Sequence, residues 1–172
     1  MPGGLIFLPF LTGERFPIRD HYVRGALYGL SLSTKPVEVV RALLEGVAFS
    51  LRWILDVMIR CGVRAKEARV SGGGASLRSW REILADVLGL RVAYPGTIGA
   101  SLVGTAIFAK LALGRYSNVQ EAVESELRGV EFEVVAPELR RREVYEKGYE
   151  LFKELYEAIR PYARRHHEML GS

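Results

Sequence analysis

A glycine-rich segment in the middle of the chain, Ser71 to Ser76, has the composition of a loop that could bind a phosphate. It follows a short apolar run, Ala68 to Val70, that predicts a β-strand, and it precedes a stretch with helical apolar spacing. Three consecutive glycines, Gly72 to Gly74, allow backbone conformations and close approaches that side chains would prevent. A helix starting just after them would offer unpaired N–H groups and a partial positive charge. The segment therefore indicates a place where a phosphate or the edge of a nucleotide lies against bare backbone.

A tight structural turn is the second interpretation of the same segment, because many strand-to-helix connections contain glycine only to reverse the chain. No Gly-Lys-Ser/Thr follows the glycines, so the segment is not a P-loop. The G-x-G-x-x-G spacing of dinucleotide-binding loops is also missing. From these residues alone, both interpretations stay open.

Phosphoryl transfer requires a base, in addition to positioning groups and a metal at the phosphates, and the acidic candidates for this base are Glu14, Asp20 and Asp86. Asp86 lies about ten residues beyond the glycine turn, roughly 15 Å along a helix, so we interpret it as a structural partner. Glu14, Arg15, Asp20 and Arg24 lie close together in the sequence. We interpret them as an ion-paired loop that fixes the early strands. We therefore assign no catalytic residue in this chain.

Histidine and cysteine residues show no metal-binding pattern. His166 and His167 are adjacent, so on a helix their side chains point about 100° apart, whereas paired zinc ligands need one face. His21 stands alone in a loop. Cys61, the only cysteine, ends an apolar helical stripe, which predicts a packed core thiol. A chain without an internal disulfide favours a reducing, cytoplasmic compartment.

The elements around the glycine turn alternate between strand and helix signals, which predicts one α/β domain. The predicted strands are 5–10, 25–32, 68–70, 91–94 and 131–135. A long helix begins at Pro36 and stops at Gly62. Its predicted core stripe contains residues spaced by three and four: Val40, Leu43, Leu44, Val47, Leu51, Ile54, Leu55 and Met58.

The helix after the glycine turn is predicted to bury Trp80, Ile83, Leu84, Val87 and Leu88 and to end at Gly89. Its start has two candidates, Ser76 as a cap or Ser79 with Glu82 as a capping box.

Further helices are predicted at 100–113, 119–127 and 138–167. The last one should bury Tyr145, Tyr149, Phe152, Tyr156 and Ile159, and Pro161 should kink or end it.

Overall composition is that of a globular protein, with 49% hydrophobic and 26% charged residues. The net charge of +4 is spread along the chain, with local runs only at 140–142 and 164–165, so we expect solvated helix faces and no nucleic-acid partner. No apolar stretch reaches the ~18 residues of a membrane span, and no secretory signal is visible. Many charges and only two side-chain amides, Asn118 and Gln120, indicate a thermophilic source or a biased genome.

Four segments together resemble the C-terminal domain of the FGGY carbohydrate kinases. Residues 9–17, Pro-Phe-Leu-Thr-Gly-Glu-Arg-Phe-Pro, are followed by Asp20 and Arg24-Gly25 and resemble the start of that domain. Residues 25–45, with Gly-Ala-Leu-Tyr-Gly-Leu, a seven-residue gap, Glu-Val and Ala-Leu-Leu-Glu, resemble the second signature of the family. Residues 71–86 resemble its adenosine-binding motif, and 100–106 its next helix. The Gly-Glu-Arg loop is most similar to xylulokinase- and gluconokinase-like members.

This resemblance implies an actin-like ATPase (ribonuclease H-like) fold, an α/β fold with a mixed sheet flanked by helices. The family has two such domains, with ATP mainly on the second and the sugar mainly on the first. By position, Gly73 and Gly74 would run beside the α-phosphate and the adenine. Ala75 and Arg78 would lie near the base, on which Arg78 could stack. The predicted ATP site thus comprises six residues of one short segment: Gly72, Gly73, Gly74, Ala75, Ser76 and Arg78.

Two departures from the family limit the expected activity. Gly99 stands where the family usually has Glu. The family's phosphate hairpin, sugar pocket, catalytic aspartate and most Mg²⁺ contacts would precede Gly4. We therefore expect residues 1–172 to be a single domain, with 115–172 as a mostly helical extension, that forms the ATP-binding half of a sugar kinase and is inactive alone.

Two partner hypotheses follow from that expectation. A separately encoded N-terminal kinase half would complete the enzyme, and an exposed apolar face would then seek that partner. Alternatively, the chain is a non-catalytic nucleotide-binding or homodimeric assembly module. A nucleic-acid binder is a third and weaker hypothesis, which a salt-dependent gel shift would be needed to support.

Overall fold

Helices and short strands alternate along the chain in the computed structural model, which describes residues 4–96 and 99–169. Three of the strands are shorter than predicted, one is shifted by one residue and one has its predicted bounds, whereas most helices match their predicted bounds to within two residues. The elements, in order, are β1 (Ile6–Leu8), β2 (Ala26–Tyr28), α1 (Pro36–Arg60), β3 (Glu67–Arg69), α2 (Arg78–Leu88), β4 (Arg91–Tyr94), α3 (Ala100–Ala112), α4 (Val119–Glu126), β5 (Glu133–Val135) and α5 (Leu139–Met169). The predicted α/β class is confirmed.

Two small sheets organise these elements. In the first, β1 and β2 are antiparallel, with Ile6 opposite Tyr28. In the second, β3 and β4 are parallel, with Ala68 opposite Val92, and β5 pairs with the other edge of β4 in antiparallel orientation. Helix α2 connects the two parallel strands. Since parallel strands end at the same edge, the segments that follow β3 and β4 meet there, which is where α/β folds hold their ligands.

Helix α1 packs closely against the first sheet. Pro36 occupies its first turn, and the Glu38 carboxylate accepts a hydrogen bond from the Lys35 amide at 2.8 Å, which satisfies a free donor at the helix start. Gly46 allows the close approach, because a Cβ atom at this position would lie 2.2 Å from the Phe7 carbonyl oxygen. Small residues on this face of α1 therefore bring its backbone to within contact distance of β1.

The predicted core stripe of α1 is wrong for five of its eight residues, which lie exposed on the outer face of the helix, whereas Leu44 packs against the core. Val40 is 57% exposed, whereas Phe49 is 2% exposed. Phe49 follows Val40 by nine residues, which places it about 180° around the helix. Both faces of α1 are apolar, and the fold buries the face with small residues and Phe49. The exposed members of the predicted stripe are Val40, Leu43, Val47, Leu51 and Met58.

Helix α5 closes the core, and its predicted buried side is confirmed. Tyr145, Tyr149, Phe152 and Tyr156 are buried, and Ile159 packs against the same core. Phe152 contacts Phe10, Phe49 and Trp53. The aromatic residues of α5 thus join both sheets' helices into one hydrophobic core.

Three tyrosine hydroxyls fasten α5 to the rest of the chain. Tyr145 donates to Glu45 at 3.2 Å, Tyr149 to Asp56 at 2.8 Å and Tyr156 to Asp20 at 2.9 Å. Burial, aided by the charge of Glu45, raises the pKa of Tyr145 to about 12, so its hydroxyl stays a donor at neutral pH. Burial and its bond to Asp20 also raise the pKa of Tyr156.

Two local predictions differ from the structure. Of the two effects predicted for Pro161, a kink or the end of the helix, the second does not occur, because α5 continues to Met169. Pro161 is exposed, so the carbonyl group that loses its helical N–H partner can be hydrated. Cys61 is exposed rather than packed, because it directly follows the last residue of α1 and lies beyond the packed part of that helix.

Candidate functional site

The glycine turn lies at the carboxyl end of β3 and is open to solvent. Gly72 has a φ of +92°, a backbone conformation that favours glycine. A Cβ atom added at Gly72 or Gly73 would meet nothing within 4 Å. In the described part of the chain, the amide groups of Gly72, Gly73 and Gly74 donate no hydrogen bond, whereas their carbonyl groups accept from the three amides that follow. The turn therefore presents free donors on bare backbone.

The segment between the turn and α2 differs from the prediction. Gly74–Ser76 forms a separate 3₁₀ turn, and α2 begins only at Arg78 with Leu77 as its cap residue. Neither Ser76 nor Ser79 caps α2. The Ser76 hydroxyl instead donates to the Gly73 carbonyl at 2.7 Å and holds the turn closed on itself. The predicted start of α2 was wrong because capping rules recognise α-helix ends and not a preceding 3₁₀ turn.

The base of the turn is held by a residue that the sequence reasoning missed, Arg81. Its Nη1 donates to the carbonyl oxygens of Ala75 at 2.6 Å and Ser76 at 3.0 Å. Its Nη2 forms an ion pair with Glu133 of β5 at 2.6 Å, and its guanidinium lies 4.7 Å from the ring centre of Tyr94. A signal was present in the sequence, since Arg81 is three residues before Leu84 and therefore shares its face of α2.

The six predicted site residues thus lie together, but in different environments. Ala75 is buried at 4% exposure, whereas Gly73, Gly74, Ser76 and Arg78 are exposed. The Arg78 side chain is 71% exposed and forms ion pairs with Glu82 at 3.1 Å and Glu133 at 3.4 Å. Arg78 accordingly stands at the rim of the turn, and its guanidinium could contact the ring of a ligand only from the solvent side.

An apolar cavity of about 380 Å³ lies beside the turn, between the carboxyl end of β3 and the α3–α4 pair. Its walls are mostly apolar, while Arg69, Ser71 and Glu126 provide the polar groups. Ala100 and Gly104 on α3 contribute little side-chain volume, which leaves space inside. The apolar lining includes Val70, Pro95, Val103, Ile107, Leu127 and Phe132. An apolar cleft with few polar groups is the form that ligand sites commonly take.

Comparison with known proteins places this geometry in a family. Residues 1–113 match the sequence profile of the FGGY family of carbohydrate kinases, C-terminal domain. The chain belongs to this family. The predicted actin-like fold is also confirmed, because solved sugar kinases of that fold share its structure.

Several FGGY kinases are similar over most of this chain. The xylulose kinase of Escherichia coli K12 is 34% identical over 158 residues, which cover 90% of this chain and 32% of that protein. The glycerol kinase of Pseudomonas entomophila is 35% identical over 147 residues, covering 85% of this chain and 29% of the relative.

Two crystal structures show the same relation. The xylulose kinase from Rhodospirillum rubrum has a TM-score of 0.75 and 30% identity over 94% of this chain and 32% of its own. The gluconate kinase from Lactobacillus acidophilus has a TM-score of 0.73 and 26% identity, over 90% of this chain and 31% of its own. The chain therefore spans about a third of the length of the relatives it matches.

The charged loop near the start of this FGGY domain has a structural role, but not the predicted ion pairs. The Glu14 carboxylate accepts from the amides of Arg15 and Phe16, and Arg24 donates to backbone carbonyl groups. Asp20 is buried and accepts from the Tyr22 and Val23 amides. Its only ion pair among the described residues is with Arg160, at 3.9 Å. The loop is thus fixed by hydrogen bonds between its side chains and the backbone.

The pKa of Asp20 reflects this environment. Burial alone would raise it, but the Tyr22 amide, the Tyr156 hydroxyl, the Val23 amide and Arg160 together hold the pKa below its ordinary value of 3.8. The carboxylate is therefore ionised at neutral pH and fully engaged as an acceptor.

Asp86 is a structural partner, as predicted. Its carboxylate accepts from the Glu138 amide at 2.7 Å and pairs with Arg141 at 3.3 Å, which fixes the start of α5. Within residues 4–96 and 99–169, no group of three or more histidine, cysteine or acidic side chains is arranged to hold a metal ion. In the same ranges, no helix combines the length and apolar character needed to cross a membrane.

Proposed function

We propose that this chain is the ATP-binding part of a sugar kinase, an enzyme that transfers a phosphoryl group to an alcohol group of a sugar or polyol. The observation that carries the proposal is the open glycine turn at the carboxyl end of β3, next to an apolar cavity, in a domain of the FGGY family. The relatives named above are xylulose, glycerol and gluconate kinases. Their substrates are polyhydroxy compounds, which supports this substrate class.

In this proposal the turn binds the phosphates and the cavity receives the base. The amide groups of Gly72, Gly73 and Gly74 are free to donate to phosphate oxygens, and no side chain blocks them. Ala75 forms a buried floor, and Ser76 keeps the turn closed through its bond to the Gly73 carbonyl. The apolar cavity is large enough for a flat ring. Arg78 does not line the cavity but stands at the rim of the turn, where it can stack on a part of the ring that lies outside the cavity.

In this proposal, groups outside the described residues complete the phosphoryl transfer. A base must accept the proton of the attacking hydroxyl, and Mg²⁺ must neutralise charge at the phosphates. The carboxylates considered above as candidate bases all accept hydrogen bonds from backbone amides and stabilise local structure: Glu14, Asp20 and Asp86. We propose that residues 1–172 alone transfer no phosphate, and that another polypeptide segment supplies the base, the sugar pocket and the Mg²⁺ ligands.

The outer face of α1 supports the need for such a partner. Val40, Leu43, Val47, Leu51 and Met58 form one exposed aliphatic stripe along this helix. Contiguous apolar surface of this kind is typical of an interface and uncommon on a free monomer. We propose that the stripe contacts the segment that completes the kinase, which corresponds to the remaining two thirds or so of the relatives' length.

A homodimeric assembly module is the second candidate, and the same stripe favours it in a different way. Four of its five residues are spaced symmetrically about position 49, so Val40 of one copy would meet Met58 of another in an antiparallel pair, and Val47 would meet Leu51. Light scattering of the purified chain separates the two candidates. A dimer supports the assembly module, whereas a monomer that associates with a separately expressed N-terminal kinase half supports the split enzyme.

Titration calorimetry with ATP tests the nucleotide site. The unaltered chain should bind ATP, and Gly73→Val should weaken binding by about tenfold or more, because the side chain fills the space where phosphate would lie. Ser33→Val, on an exposed turn before α1, is the matched control and should leave the affinity unchanged. Absence of ATP binding by the unaltered chain, or equal binding by Gly73→Val, would contradict the proposed site.

A further inference from the structure

Arg81 is an arginine almost completely removed from solvent, with 2% of its surface exposed. Burying a guanidinium, which remains charged in proteins, is costly unless its donors are well paired. Four of its contacts meet that need: the carbonyl groups of Ala75 and Ser76, the carboxylate of Glu133 and the face of Tyr94. Nε is the one buried side-chain nitrogen or oxygen without a partner in the described part of the chain. The fold therefore retains a costly charge at this point, beneath the glycine turn.

The contacts of Arg81 define the orientation of that turn. Carbonyl groups of a helical turn point to its C-terminal end and amide groups to its N-terminal end. Arg81 holds the two carbonyl groups at the C-terminal end of Gly74–Ser76. Fixing these carbonyl groups also fixes their own peptide planes, which contain the Ser76 and Leu77 amides, and these amides donate to the carbonyl groups of Gly73 and Gly74. Because the Gly73 carbonyl shares a peptide plane with the Gly74 amide, the constraint passes through these hydrogen bonds to the free amides of the turn.

We propose that Arg81, held by Glu133, is a positioning residue that orients the amides of Gly72 to Gly74 for the phosphates of the nucleotide. The inference rests on the proposed function, since it concerns the same site. Arg81 acts through the backbone and does not contact the ligand, because its side chain is only 3% exposed. Its effect should therefore appear in the recognition of phosphate and not in that of the base.

Glu133 connects the two ends of the site. Its carboxylate pairs with Arg81 at 2.6 Å beneath the turn and with Arg78 at 3.4 Å at the rim. Glu133 lies on β5, outside the residues 1–113 that match the family profile. The segment 115–172 is thus more than a helical extension in this proposal, because it supplies the carboxylate that holds both arginines.

The test compares binding of ADP with binding of adenosine, which lacks the phosphates. Arg81→Lys keeps the charge but loses the fork that reaches two carbonyl groups and a carboxylate at once. Glu133→Gln removes the charge of the anchor at a half-exposed position but keeps an oxygen that can accept from Arg81, so it is the milder of the two changes. Arg52→Lys is the matched control. Arg52 also donates to a backbone carbonyl, that of Val87 at 2.7 Å, and pairs with the Asp56 carboxylate, but it does so at the opposite end of α2.

The expected result is a loss of affinity for ADP of about fivefold or more in Arg81→Lys and of about threefold in Glu133→Gln, with adenosine affinity within about twofold of the unaltered chain. Arg52→Lys should lower the melting temperature but leave both affinities unchanged. An unchanged ADP-to-adenosine ratio in Glu133→Gln and in any folded Arg81→Lys protein would overturn the inference. So would an equal change of that ratio in Arg52→Lys. Failure of the unaltered chain to bind ADP would instead overturn the proposed function itself.

Discussion

Replacing Gly46 by alanine tests the packing of α1 against β1. In most helices this change is favourable by about 1 kcal/mol, because alanine has the higher helix propensity. At Gly46, however, the new Cβ atom would lie 2.2 Å from the Phe7 carbonyl oxygen, whereas ordinary contact begins at 3.4 Å. Helix α1 and strand β1 must therefore separate by about 1 Å.

The expected loss follows from these opposing effects. Overpacking a core typically costs about 1–3 kcal/mol, and a clash with backbone lies at the upper end because no side chain can rotate away. Subtracting the propensity gain leaves a net loss of about 2 kcal/mol. For a chain of this length, that corresponds to a fall in melting temperature of about 4–8 °C.

Thermal unfolding followed by circular dichroism measures this loss. Gly104→Ala in α3 is the matched control, because a Cβ atom there meets nothing within 4 Å. The control should raise the free energy of unfolding by roughly 0.5–1 kcal/mol. A Gly46→Ala protein as stable as the unaltered chain would refute the close contact between α1 and β1.

Three further predictions concern α5, Cys61 and the outer face of α1. Tyr156→Phe should lower the free energy of unfolding by about 1.5 kcal/mol at neutral pH, because Asp20 loses a buried donor. Because the pKa of Asp20 is lower in the folded state than its ordinary value of 3.8, the ionised carboxylate contributes its full stabilisation above pH 3.8 and loses it as the pH falls further. The difference in unfolding free energy between Tyr156→Phe and the unaltered chain should therefore shrink in acid, which unfolding measured at a series of pH values would show. Cys61 should react with a thiol reagent in the native protein as fast as in the unfolded one, and strong protection would contradict its exposure. Leu51→Lys should reduce binding of a hydrophobic dye, since it interrupts the exposed stripe; unchanged fluorescence would argue against a continuous patch.

Local sequence signals predicted the elements well where the signals are strong. Pro36 and Gly62 correctly bounded α1, and the short run from Arg91 to Tyr94 is β4 as predicted. The glycine turn also lies after a strand and before a helix, as the order of these segments indicated. Prolines and glycines act through their own backbone, so their effect does not depend on distant contacts.

Predictions that required knowledge of distant neighbours failed. Both faces of α1 are apolar, so periodicity could not decide whether Val40 or Phe49 faces the core. Burial of Arg81 depends on Glu133, which is 52 residues away and joins it only because β5 pairs with β4. The start of α2 failed for a local reason, since the 3₁₀ turn at Gly74–Ser76 has no distinct capping signal.

The central claim is that bare backbone at the glycine turn binds the phosphates of ATP. Amide chemical shifts in ¹⁵N-labelled protein, recorded during titration with ATP and then with adenosine, test it most directly. The account predicts that the amide signals of Gly72, Gly73 and Gly74 shift with ATP and much less with adenosine. Shifts confined to other parts of the chain, or equal shifts with both ligands, would contradict it.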